Sequence, residues 1–230
     1  MRRLLFRRSV LATALTLAVS GGSVSAQRPV KVPQALGKPY PEILKMGSEK
    51  WMEFHGEKHG HSTAAMWDGM ELYSGALLWR NSELARNAPP AVRSRVSTLR
   101  KLLLPFISGI CEVGYFNSGG GTIWVNVEAG SRAEAEEVLH RVLTRVKSPG
   151  AATTGQVLRA HAELDAAVRK RAKEDAVVAE NAADARKRVK QLGAGLTPLF
   201  KQAGTLDRAG SDHLLGFLRR QLTLGLGDFS

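Results

Sequence analysis

The chain has one cysteine, Cys111, so an internal disulfide is excluded. In an oxidising compartment such a chain must be held by packing alone. Cys111 lies in the apolar run LLLPFISGICEVGYF, which predicts a buried, unreactive thiol. Apolar runs of the ~20 residues needed to cross a bilayer are also missing. So are H-E-x-x-H, a Gly-x-Ser-x-Gly elbow, a P-loop lysine behind the glycines at 119–121, a Cys-His haem attachment, and zinc-finger or RNP motifs. These absences remove the commonest zinc-protease, secreted-esterase, nucleotide and nucleic-acid signatures. Only one stretch alternates as a strand does, and a single strand cannot make a sheet.

What is present begins with an address. Arg2, Arg3, Arg7 and Arg8 precede an apolar stretch, Val10 to Val19, and then GGSVSA. That order is a secretory signal over 1–26, with cleavage after Ala26. RRSVL loosely resembles a twin-arginine export signal, so the route is open between that and the general pathway. No cysteine follows the cleavage region, which argues against a lipoprotein anchor. Removing the signal takes away four arginines and no acid. The remainder has 29 basic and 21 acidic residues, a formal +8. The expected location is periplasmic or extracellular, with no transmembrane span in the mature chain. Nucleic acid is not an expected partner. An anionic envelope polymer is one, beside the simpler reading of a solvated basic surface.

Pro29, Pro33 and Pro39 mark 27–40 as an extended leader. Helical periodicity then takes over, and 41–147 reads as a helical core domain. Ile43, Leu44, Trp51, Phe54 and His55 share one face, and Pro41 suits a first helical turn. A second helix starts at Ser62 or Thr63, with Met66, Met70, Tyr73, Leu77 and Leu84 as its stripe. Asn87-Ala88-Pro89-Pro90 ends it. Val92, Val96, Leu99, Leu103, Phe106, Ile110 and Val113 keep helical spacing in a third, which Pro105 is expected to kink or split. Ile123, Val125 and Val127 alternate with Trp124 and Asn126, so 122–128 reads as one short strand or, without a partner strand, as a short extended segment against the helices. Ser131 and Glu134 then form a capping box.

Residues 153–192 read as one long Ala-rich charged helix. Val157, Leu164, Val168, Val178, Ala182, Ala185, Val189 and Leu192 form a heptad-like seam, interrupted by Arg171 and Asp175. LGAG closes it, and 196–230 adds a helical segment capped by Ser211. The predicted fold is therefore all-α or mostly α: a compact helical domain with a long amphipathic C-terminal helix, folded as a helical bundle.

Three chemistries are in play. His55 and His59 are four residues apart, so both rings leave one side of a helix, and His61 follows in the turn. With Met52, Met66 or a glutamate as fourth ligand, this set suits copper or zinc. The competing reading is a core histidine at His55 with two exposed neighbours. Glu49, Glu53 and Glu57 form a carboxylate stripe, with Asp68 and Glu71 on the next helix. Two acids across a cleft could make an envelope glycan hydrolase, though solvated glutamates on helices are common. His140 and His213 are expected at the surface or in caps, and His161 in a packed position. No catalytic residue or organic cofactor site is singled out. The reading that remains is a non-enzymatic, exported binding or scaffold protein. Residues 153–192 are its expected surface for self-association or a protein partner, unless their seam packs on its own domain; metal binding and glycan hydrolysis are the alternatives.

Overall fold

The computed structural model describes residues 32–118, 120–144 and 152–227. The expected signal 1–26 and the start of the leader lie outside the described residues. The rest of the leader makes a minute antiparallel hairpin, β1 (Gln34–Ala35) and β2 (Lys38–Pro39), in register Gln34 to Pro39. Seven helices follow among the described residues. They are α1 (Tyr40–His59), α2 (Thr63–Arg86), α3 (Pro90–Asn117), α4 (Ile123–Thr144), α5 (Thr154–Glu174), α6 (Ala176–Ala203) and α7 (Arg208–Leu224). The chain is mostly α, as its periodicity predicts. No helix among the described residues is long and apolar enough to cross a membrane.

Local signals account for most boundaries. Pro41 lies in the first turn of α1. The Ser62 hydroxyl accepts the Ala65 N–H at 3.2 Å and starts α2. Thr153 and Gln156 form a reciprocal capping box at α5. Within α1, Gly47 has φ 81° and ψ 168°, a conformation open to glycine, and divides the helix into two pieces. Pro105 does not split α3. It sits on the exposed side, where its ring and the carbonyl it frees face water rather than core.

Several expectations need correction. Residues 123–144 are helix, not a strand at 122–128. The alternation also has the wrong sense: Trp124 is buried, while Ile123 and Val125 are exposed. A lone strand would leave its backbone unpaired, whereas a helix satisfies it internally. Its row of Trp124, Ser131, Ala135, Val138 and Leu139 faces inward. Ser131 is therefore a buried mid-helix residue, and Glu134 binds Arg220 and Gln221 of α7 instead of closing a capping box.

The segment 153–192 is two helices. Asp175 ends α5 in extended conformation (φ −127°, ψ 118°), and its carboxylate accepts the Val178 N–H at 3.4 Å as α6 begins. Arg171, the other interruption in the seam, donates to the Asn117 carbonyl at 2.9 Å. All eight seam residues are buried, and α5 and α6 pack on each other and on α3 and α7. LGAG does not stop α6, because Gly193 lies flat against the His161 imidazole and tertiary packing outweighs its poor propensity. The last helix is capped by Asp207, which accepts the Gly210 N–H at 2.8 Å, and not by Ser211.

Successive helices run up and down. Ser108 of α3 meets Glu128 of α4 at 2.7 Å, His161 of α5 meets the Val189 carbonyl of α6 at 2.9 Å, and Asn117 reaches the Leu226 carbonyl at 3.0 Å. The larger core joins α3 to α7; a smaller one, around Ile43, Trp51, Tyr73 and Leu77, joins α1 and α2 to Ala133 of α4. Between them lies a buried polar knot. Glu136 receives both Arg100 nitrogens at 2.7 and 2.8 Å, and the Asn81 amide at 2.8 Å. Each Glu136 oxygen thus has a partner, which is what a buried carboxylate requires.

Candidate functional sites

The α1–α2 hairpin places the histidines. Trp51 donates to the Gly69 carbonyl at 2.7 Å, and the two helices approach closely there: a Cβ at Gly69 would meet Met52 and His55. His55 is 1% exposed and its Nε2 lies 3.0 Å from an Asp68 oxygen. Its ring centroid is 4.8 Å from that of His59. The His61 ring folds back over Gly56, where a Cβ would collide with it. His59 and His61 are exposed, as is Met66. The hairpin thus gathers His55 with His59 and with Met52, and returns His61 toward the same helix. Among the described residues, however, no three of His, Cys, Asp and Glu converge to hold a metal ion. His55 is built into the core with an aspartate partner, and its neighbours are solvated.

The other titratable candidates divide between the core and the solvent. Burial, and secondarily the charge of Glu128, pushes the Cys111 thiol up to about 12. Glu49, Glu53 and Glu57 are all exposed along α1. His213, expected at the surface, is buried. It shares the buried face of α7 with Leu214, Phe217 and Leu218. His140 is half-buried; burial, then Arg80, lowers it from its ordinary value.

The structure adds a site that no sequence motif marks. Where α2 ends and α3 begins, an open groove of about 450 Å³ forms against the end of α4 and the α6–α7 turn. Leu84, Val92, Val142, Leu143 and Leu206 give it apolar walls, and Arg95 stands in its lining. Val92 is the first member of the α3 stripe and the one that the bundle leaves half-exposed. Arg95 has no hydrogen-bond or ion-pair partner among the described residues. Asn87-Ala88-Pro89-Pro90 reads in sequence only as a helix stop, so nothing there announces a concave surface.

Comparison with protein-family models, with curated proteins and with solved structures finds no match to this chain.

Proposed function

We propose that the chain is an exported, non-enzymatic helical binding protein of the cell envelope. The observation that carries this reading is the groove: an open concavity in which five apolar side chains, Leu84, Val92, Val142, Leu143 and Leu206, stand beside polar ones. The N-terminal charge pattern supports export. The heptad-like seam of 153–192 is occupied within the fold, so association is assigned to the groove and not to an extended arm. The test has two parts. In fractionated cells, the chain is expected in the envelope or medium with Gln27 as its first residue. Recovery of the intact N-terminus from the cytosol would overturn the localisation. Photo-cross-linking from several surface positions is expected to yield specific adducts, and a chain without adducts at any position would overturn the binding role.

A second reading is a copper or zinc protein using His55, His59 and His61, with Met52 or Met66 as further ligand. The adjacency of the His55 and His59 rings favours it. The metal would act as a bound or carried ion, held by imidazole nitrogen. Elemental analysis of untagged protein, followed by titration of His59→Ala and His61→Ala, decides it. Stoichiometric metal lost in both variants supports the site; near-zero metal in all three proteins removes it.

A further inference from the structure

Resting on the binding reading above, we propose that the groove at the α2–α3 turn docks an acidic amphipathic segment of a partner protein. Its apolar walls call for apolar side chains in the occupant, and its open form suits a peptide laid across it. The lining holds one charged residue of each sign, Arg95 and Asp207, but Asp207 is engaged at the start of α7 whereas Arg95 is engaged by none of the described residues. Arg86, Arg93, Arg95, Arg141 and Arg208 all belong to the segments that build this end of the bundle. The two acids nearest in sequence are already engaged: Glu83 with Arg86 at 2.8 Å, and Asp207 in capping α7. Arg95 is left in the lining with nothing to neutralise it. A carboxylate on the occupant would supply that charge, and guanidinium is suited to hold it in two-pronged fashion.

The same charges disfavour the other occupants. A second copy of this net-basic chain would have to bring its own acid to Arg95 against the repulsion between two positively charged chains. A polyanion without apolar groups would leave the walls unfilled. An acidic amphipathic peptide satisfies both features at once, with apolar anchors inside and carboxylates on the rim.

The experiment uses the full chain in cells that make it, with a photoreactive phenylalanine at Val92, or at Trp67 or Ile123 at the opposite end of the bundle. Adducts from Val92 are identified by peptide mass spectrometry. The expected result is partner segments that carry apolar residues at helical spacing and a net negative charge. The segment so found is then synthesised and titrated against the purified chain. Arg95→Glu is expected to weaken binding by about tenfold or more, Arg95→Gln by less, and added salt to weaken the wild type. Thermal melts of both variants check that they fold; Arg95 is half-exposed, so they should. Neutral or basic segments, a second copy of this chain, or equal affinity for Arg95→Glu would each overturn the proposal. Adducts from Trp67 or Ile123 but not from Val92 would overturn the groove and leave the binding role standing. Adducts from no position would overturn both.

Discussion

At the scale of single residues, burial decides reactivity. Cys111 is inside α3, and its thiol, pushed up to about 12, is scarcely ionised at neutral pH. Iodoacetamide is therefore expected to label it only after denaturation. Labelling of the native chain at the rate of a free thiol would contradict this placement. His140 offers a second check. Burial first, and Arg80 second, hold it below its ordinary 6.5, with Glu137 opposing and Arg141 reinforcing. Below pH 6.5 the unfolded chain then binds more protons than the folded one. Its contribution is thus complete above that pH and declines as pH falls through the lowered value. The melting temperature of wild type is expected to drop more steeply between about pH 6.5 and 5 than that of His140→Phe. Parallel curves would remove His140 as a source of acid sensitivity. The burial of Cys111 was legible in its apolar flanks; the charges of Glu128 and Arg80 were not, because they reach these groups from neighbouring helices.

Elements show where local preference ends and packing takes over. At Asp175 the two agree: the acid that breaks the seam also caps the helix that follows. Asp175→Ala is expected to cost about 1 kcal/mol, read as a lower urea midpoint with unchanged slope. No change would mean that the α5–α6 corner is held by packing alone. At α4 the two conflict. Alternation over five residues fits a strand, yet the same residues sit at the start of a 22-residue helix. A window that short cannot separate a period of 2 from one of 3.6. What separates them is a partner: among the described residues no strand pairs with this segment, while α2, α3 and α7 all offer helical faces to α4. The glycines of α6 teach the same lesson, since LGAG resembles a stop until His161 is packed on Gly193.

For the whole molecule, the decisive question is whether α5 and α6 are an arm or part of the bundle. Leu164 is fully buried in the larger core, and Leu158 on the same helix is exposed. Leu164→Ala is expected to destabilise the chain by about 2–5 kcal/mol. Leu158→Ala should stay within about 0.5 kcal/mol. Both are read from urea denaturation followed by far-ultraviolet circular dichroism. Equal, negligible effects would show that the helix pair contributes nothing to the core.

The sequence alone determined what depends on neighbours along the chain. Helical class, the starts at Ser62 and Thr153, and most of the inward stripes of α1 and α3 follow from spacing and capping chemistry within a few residues; the α2 stripe is inward at Tyr73 and Leu77, while Met66 and Leu84 at its ends are exposed. The seam of 153–192 was legible as apolar, but not the surface that it meets. A free arm and a folded hairpin need the same apolar spacing, and only contact with α3 and α7 distinguishes them. The histidine cluster was legible as spacing too; its outcome was set by Asp68 and Gly69, which bury His55 from across the hairpin. The groove was legible in no way at all. Its walls come from residues 84–95, 142–143 and 206–207, and concavity exists only once distant segments meet.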